Sequence, residues 1–256
     1  VVERPEVEFV AFLTANTGRL NTIRAPGCDS KTMDVRLRPS SKYTIRAVHA
    51  DCGPAAAIRS LRAKMSATMK LNMGCSYNKL PGYINVDNFV GCNPDQVCDL
   101  EKFPWPWESN GVEAVLFNHC LEHLGHEPHV FLGIFRELYR VCRNDAIVEI
   151  NVPHPRHDSY LGDPTHVRAV TVPMLQLFDR RLNRKWIEAN SANTPLAIQI
   201  EVDFAIEGIT YTLDEPYSSN FRNGQLTQPE LETALREKNN IASEIRVKLR
   251  VRKPAD

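Results

Sequence analysis

From Met69 onward, short apolar runs alternate with turn signals and amphipathic stretches, the rhythm of a mostly parallel sheet with helices on its faces. The runs predict strands at Lys70 to Cys75, Tyr83 to Asp87, Gln96 to Leu100, Ala114 to His119 and Ala146 to Val152. Between the last two, Val130, Phe131, Ile134, Phe135, Leu138 and Val141 recur at three and four, which predicts a helix with Arg136, Glu137 and Arg140 facing outward. The C-terminal third carries two period-two segments, Ile198, Ile200, Val202, Phe204 and Ile206 on one, and Ile245, Val247, Leu249 and Val251 on the other. Their polar partners are opposite in charge, so antiparallel pairing sets Glu201, Asp203 and Glu207 beside Arg246, Lys248, Arg250 and Arg252. A helix is expected over Gln228 to Asn239.

Before residue 69 the rhythm is different. This part is net basic, with extended candidates at Thr32 to Arg38 and Tyr43 to His49, then Gly53-Pro54 opening a helix on which Ala57, Ile58, Leu61 and Met65 share a face. The expected organisation is a small N-terminal extension over 1–68 and one α/β domain over 69–256, a mostly parallel sheet with an antiparallel C-terminal strand pair.

Charge narrows the partners. Lys+Arg and Asp+Glu balance at 31 each among 256 residues, so no global field recruits nucleic acid or an anionic membrane, and a neutral, small or locally recognised substrate fits better. Arg36, Arg38, Lys42 and Arg46 read as solvated faces of short strands, with recognition of an acidic acceptor as the other reading. Cys28, Cys52, Cys75, Cys92, Cys98, Cys120 and Cys142 are odd in number and never closely paired, which points to reduced thiols in a cytoplasm rather than a zinc ribbon. No apolar run reaches membrane-spanning length and no signal-peptide pattern opens the chain, so no membrane insertion is expected; nothing forbids a homo-oligomer.

The candidate chemistry sits at the ends of the predicted strands. Leu71-Asn72-Met73-Gly74-Cys75-Ser76 closes a strand on a glycine, where backbone can approach a ligand. Ile84-Asn85-Val86-Asp87 ends in a carboxylate able to accept two hydrogen bonds from a vicinal diol, and Cys98-Asp99-Leu100 offers a carboxylate for an exocyclic amine with a leucine to pack on a ring. Either aspartate can equally cap a turn. Val115 to His119 then runs into Cys120-Leu121-Glu122-His123-Leu124.

The stretch Leu71 to Phe178 resembles the class I S-adenosylmethionine-dependent methyltransferases, most closely the type 11 group found beside bacterial surface-glycan biosynthesis. The resemblance rests on the strand-end glycine, Pro81-Gly82-Tyr83-Ile84-Asn85-Val86-Asp87, Asp99-Leu100, Pro104-Trp105-Pro106, Leu121-Glu122-His123-Leu124 and Arg136-Glu137-Leu138-Tyr139-Arg140-Val141, in order. It implies a Rossmann-like fold and a methyl donor, S-adenosylmethionine. Gly74 would approach the methionine moiety, Asp87 the ribose hydroxyls, Asp99 and Leu100 the adenine, and Asn118 with His119 the wall beside the sulfonium.

Two departures stand out. Ser76 occupies a usual glycine position, and the segment Tyr77 to Gly82 is too short for a crossover helix, which suggests that the helix near 54–66 covers that face instead. Arg143-Asn144-Asp145 replaces a usual glycine pair, with the asparagine able to take a left-handed turn.

After Val152-Pro153 comes the richest polar loop, running from His154 to Arg168. Transfer of a methyl group to a hydroxyl needs an in-line acceptor and a group to take its proton; His154, His157 and His166 are the candidate bases, with His119 and His123 opposite. His157, Asp158, Asp163 and His166 also carry metal-binding groups, at a spacing that matches no strong motif, and no metal is assigned. Trp105 and Trp107 offer either an aromatic wall for a ligand or a packed connection. The expected activity is O-methylation of a saccharide or other small polar acceptor, the alternative a non-catalytic methyltransferase-like binding or scaffolding subunit. A nicotinamide-dependent oxidoreductase would need a glycine-rich phosphate turn entering a helix, and Gly74 to Lys79 supplies neither.

Overall fold

The computed structural model describes Phe9–Ala11, Tyr43–Ile45 and residues 69–254. The chain divides into two units, Val1–Ala67 and Thr68–Asp256. In the first, β1 (Phe9–Ala11) and β2 (Tyr43–Ile45) pair antiparallel, with Phe9 opposite Ile45. β2 falls within the extended segment expected at Tyr43 to His49. The segment Thr32 to Arg38, the helix carrying Ala57 to Met65 and near 54–66, the side chains of Arg36, Arg38, Lys42 and Arg46, and Cys28 and Cys52 lie outside the described residues.

In the second unit, β3 (Met69–Met73), β4 (Ile84–Asp87), β5 (Gln96–Val97), β6 (Val112–Asn118), β7 (Cys142–Pro153), β8 (Phe204–Leu213) and β9 (Ala242–Val251) form one seven-stranded sheet in the order β5-β4-β3-β6-β7-β9-β8. The first five are mutually parallel, and β9 runs antiparallel to β7 and β8. All five expected core strands are present, the third cut to two residues.

The eighth strand is displaced from its expected place. Ile198 and Ile200 belong to or follow the short helix Leu196–Gln199, where Ala197 and Ile200 are buried three residues apart, a helical spacing; the strand begins only at Phe204. The charge pairing survives in part. Asp203 holds Arg252 and Glu207 holds Arg250, but Arg246 and Lys248 turn to Glu149 on β7, and Glu201 takes a left-handed conformation at φ 58°.

The sheet has one dry face. A register row runs Val86, Met73, Phe117, Ile150 and Val247, five almost wholly buried neighbours across four strand pairings and all in one core cluster. Against it lies α1 (Pro128–Val141), opened by a proline in its first turn, with Phe131, Ile134, Phe135, Leu138 and Val141 buried. Phe135 stacks on Phe178 at 3.9 Å and meets Phe204 edge-on at 5.6 Å, which ties the helix to the chain entering β8. The next row in register, Asn85, Asn72, Leu116, Glu149 and Lys248, points to the other face, where Glu149 pairs with Arg246 and Lys248. Helices on both faces were expected; among the described residues the connections β3–β4, β4–β5 and β5–β6 contain no α-helix.

Glu137 corrects the outward reading of α1. It is 9% exposed, accepts the Trp105 amide at 2.6 Å and pairs with Arg140 at 2.7 Å, while Arg140 donates to the carbonyls of Trp105 and Trp107. Burial opposes ionisation of Glu137, but Arg140 and the Trp105 N–H outweigh it and hold the carboxyl below its usual range. The β5–β6 connection is thereby fastened to the helix. At the end of α1 the chain passes directly into β7, and Asp145 rather than Asn144 takes the left-handed step, at φ 61°. The helix Gln228–Glu237 stands where one was expected near the C-terminus, behind a Thr227–Glu230 capping box. None of the helices among the described residues is long and apolar enough to cross a membrane.

Phe135→Ala should lower unfolding stability by about 3–5 kcal/mol, because it empties a site on which three other aromatic rings pack. Urea unfolding followed by tryptophan fluorescence measures this; a loss below about 1 kcal/mol would mean that the stack does not anchor α1.

Candidate functional site

Among the five parallel strands the order reverses direction once. From β3 the chain steps outward to β4 and β5, then returns to the other side of β3 with β6 and β7. In open α/β sheets the crevice beyond the carboxyl ends at such a switch is where ligands bind, because the two connections leave in opposite directions and part above it. Here the switch lies between β3 and β6. The residue following Met73 is Gly74, that following Val86 is Asp87, that following Phe117 is Asn118, and Asn118 is in register with Asn151. Gly74, Asp87, Asn118 and Asn151 therefore stand in one row across four strand ends. The fold is Rossmann-like.

Local chemistry explains how this edge holds without a first crossover helix. Asn72, buried, donates to the Asn78 carbonyl and to Asn85 Oδ1, both at 2.9 Å. Asn85 Oδ1 also accepts the Leu80 amide, and the Asn85 backbone and side-chain N–H groups both reach Asp95 Oδ2. Two asparagines on neighbouring strands thus fold the 76–83 turn back over the sheet and pin the β4–β5 turn as well. Ser76 adopts φ 44°, the conformation a glycine would take without strain, and its amide donates to Asp87 Oδ2 at 2.8 Å.

Gly74 has φ 64°, and a Cβ there would sit 2.3 Å from Cys120 Sγ. The glycine is required by the packing of Cys120, a contact between the ends of the two strands that flank the switch. Asp87 accepts from Ser76 and, through Oδ1, from the Phe89 amide at 2.9 Å. Two thiols stand beside it: one ligand atom each of Cys75, Asp87 and Cys92 lies within 4.8 Å of the others. Burial, then Cys92 and Asp87, push the Cys75 thiol up to about 11, so it is a neutral donor near the carboxylate.

Asp99 caps a turn, accepting the Glu101 amide at 3.0 Å, and this bond with nearby Lys102 holds it below the usual carboxylate range. Leu100 packs into the core, its carbonyl accepting Trp105 Nε1–H at 3.1 Å. Trp105 and Trp107 are buried, edge to face at 5.8 Å, with both indole N–H groups bonded, so they form a packed connection and present no ring to a ligand. Asn118 Oδ1 accepts from Asn151 Nδ2 at 2.8 Å. Asn151 went unnoticed in the sequence, where the only signal is an amide in an otherwise apolar strand end.

His119 takes φ 51°, places Nε2 2.8 Å from Glu244 Oε1 on β9 and Nδ1 3.6 Å from Glu122. Glu122 and Glu244 raise its pKa against the opposing effect of burial.

The long loop after β7 separates its histidines. His154 donates its backbone N–H to the Ser243 carbonyl and faces the Tyr211 ring of β8 at 5.9 Å; burial, then Arg156 and His157, lower its pKa. His157 caps the short helix α2 (Asp158–Leu161) through Nδ1, which accepts the Ser159 amide, and its Nε2 meets Asp214 at 2.8 Å. Asp158 is bonded to Asn240. His166 instead packs on Tyr160 and His123. The quartet His157, Asp158, Asp163 and His166 is therefore not one cluster; the second group that could share an ion among the described residues is Glu122, His123 and His166.

A depression of about 390 Å³ lined by Tyr139, Arg180, Arg184, Ile198, Glu201 and Pro254 lies by the end of β9, away from the strand-end row, and contains none of these groups. No protein-family model and no curated protein matches the sequence. Among solved structures, a SAM dependent methyltransferase from Archaeoglobus fulgidus aligns with TM-score 0.48 and 13% identity over 77% of this chain and 91% of its own. A SAM-dependent methyltransferase from Methanosarcina mazei aligns with TM-score 0.43 and 12% identity over 80% and 100%. An S-adenosylmethionine dependent methyltransferase from Mesorhizobium loti aligns with TM-score 0.39 and 16% identity over 77% and 98%.

Gly74→Ala should destabilise the chain by about 1–2 kcal/mol from the left-handed backbone alone, and further through overlap with Cys120. Chemical denaturation of Gly74→Ala and of Gly74→Ala with Cys120→Gly separates the two: the second change should restore the steric part only. Full stability of the single variant would remove the Gly74–Cys120 contact.

Proposed function

We propose that the chain is an S-adenosylmethionine-dependent methyltransferase that methylates a hydroxyl of a saccharide or other small polar acceptor. The observation that carries this reading is the row Gly74, Asp87, Asn118 and Asn151 at the switch in strand order, where the sequence motifs resembling that family coincide with the place a Rossmann-like sheet binds nucleosides. The donor would supply an electrophilic methyl on a sulfonium. Asp87 retains acceptor capacity for a ribose diol after its two backbone bonds, since an ionised carboxylate offers about four lone-pair sites. Asp99, held ionised, has the charge to accept from an adenine amine.

For the acceptor proton, His154 is the assigned base. It follows the tip of β7, and its lowered pKa favours the neutral imidazole, whose lone pair stands on Nδ1, where the Arg156 backbone N–H donates at 3.3 Å. Arg156 and His157 face it from its own loop and Tyr211 from β8, and no carboxylate lies among the causes of its shift. His157 is committed through both ring nitrogens.

Isothermal titration with S-adenosylmethionine and S-adenosylhomocysteine tests donor binding. Asp87→Ala should weaken it by about 1–3 kcal/mol; no binding by the unaltered chain would leave the scaffolding reading in its place. With an acceptor in hand, kcat/KM should fall on the acid side through an apparent pKa below the ordinary histidine value, because the base works unprotonated. His154→Gln should remove that limb and cost roughly 100- to 10,000-fold in turnover with donor affinity unchanged. Normal turnover would take the base away from His154.

A further inference from the structure

Just past β6 the chain enters a single 3-10 turn, Leu121–His123, that buries a carboxylate. Glu122 is 1% exposed, and neither of its oxygens has a hydrogen-bond partner. His119 Nδ1, at 3.6 Å, is too far for a hydrogen bond. A carboxyl group buried without a hydrogen bond is costly for a fold, and His119 stands beside this one only at ion-pair distance and on one side.

The backbone brings two imidazoles to this carboxylate. The Glu122 carbonyl accepts the amides of Val167 and Arg168 at 2.9 and 3.2 Å, which draws the end of the long loop, with His166, onto the turn. His166 Nδ1 lies 2.8 Å from the Tyr160 carbonyl. A carbonyl only accepts, so Nδ1 carries a proton and Nε2 is the ring nitrogen left to face a ligand.

His123 is held the same way. Its Nδ1 is 3.0 Å from Thr165 Oγ1 and 3.3 Å from the Thr165 carbonyl, and the Thr165 hydroxyl donates onward to Asp163 at 2.6 Å. The relay runs imidazole to hydroxyl to carboxylate, again leaving Nε2 bare. The rings are also fixed in orientation, His166 stacked on Tyr160 at 5.1 Å and tilted against His123 at 4.7 Å.

One ligand atom each of Glu122, His123 and His166 lies within 4.8 Å of the others, yet Glu122 bonds to neither ring. Instead each ring donates through Nδ1 to an uncharged oxygen, the outer-shell arrangement that fixes the tautomer of a metal-bound histidine.

We propose that Glu122, His123 and His166 form a binding site for a divalent transition ion of the zinc class, two imidazole nitrogens and one carboxylate with further positions open to a small oxygen or nitrogen ligand. Asp163, with Oδ2 3.8 Å from His166 Nε2, and Thr165 are positioning residues. The set follows from the Leu121–Glu122–His123–Leu124 motif meeting the loop, and it requires nothing of the strand-end cleft.

The test uses the untagged full chain, stripped with a chelator, dialysed and titrated calorimetrically with Zn²⁺, with Mg²⁺ as the hard-cation comparison. The expected result is one Zn²⁺ per chain, negligible Mg²⁺ binding, and a raised thermal midpoint. Glu122→Gln and His166→Ala should each weaken Zn²⁺ binding by more than about 100-fold, and Asp163→Asn by roughly 10- to 100-fold as an outer-shell partner. Glu122→Gln should also lose the Zn²⁺-dependent rise in thermal midpoint. His123→Ala, at a less buried ligand, serves if either of the first variants fails to fold by circular dichroism. Absence of stoichiometric binding, binding that survives loss of Glu122 or His123, or binding abolished by Cys92→Ser but not by His166→Ala would overturn the assignment, the last by moving the ion to Cys75, Asp87 and Cys92.

Discussion

The adjacency of β3 and β6 is the constraint on which the molecule depends. Met73 pairs with Phe117 although a complete outward excursion through β4 and β5 lies between them in sequence. Closing so long a loop is slow and entropically unfavourable, and it is offset by burial of Met73 and Phe117 in the row that α1 covers. Once the two strands are side by side, their connections leave in opposite directions and a crevice opens above Gly74. Cys120 then fills the space that a side chain on Gly74 would occupy, so the floor of the crevice is set by a van der Waals contact between the two strand ends.

What could be read in the sequence was whatever its period encoded. α1 and the cores of β3, β4, β6, β7 and β9 were legible because their apolar residues recur at one spacing along a run. The β8 region was misplaced because Ile198, Ile200 and Val202 satisfy a period of two while Ala197 and Ile200 satisfy a period of three; burial of the latter pair decides for the helix. Glu137 was read outward because a carboxylate on an amphipathic helix normally is. Its partners Trp105 and Arg140 become visible only when the β5–β6 connection crosses that end of α1. Of the site, Gly74, Asp87, Asn118 and His119 were legible as strand ends, whereas Asn151 and the meeting of Glu122 with His166 depend on contacts between segments that no local spacing records.

The same distinction explains how three connections among the described residues hold without a crossover helix. Parallel strands are ordinarily covered on both faces by crossover helices. Here three connections are turns, and their work is distributed among Asn72, Asn85 and Asp95, which satisfy the turn backbone, and the two tryptophans, which pack the β5–β6 connection under α1. The second face carries paired charges, Glu149 with Arg246 and Lys248 and Glu113 with Lys70 and Arg143, alongside apolar Leu116.

The loop after β7 is fastened on both flanks of that strand. Its first half is bonded to the β8–β9 side, His154 to Ser243, His157 to Asp214 and Asp158 to Asn240. Its second half is bonded to the β6 side, Val167 and Arg168 to the Glu122 carbonyl. In the sheet order β6 and β9 are the two neighbours of β7, so the loop spans the strand end from one neighbour to the other. A segment tied at both ends in this way has little freedom left to lose when a ligand binds, and the histidines it carries are presented at fixed places. It acts as a wall beside the Asn118–Asn151 row rather than as a lid. The division of its histidines, His154 toward β8 and His166 toward Glu122, follows from which flank each half is tied to.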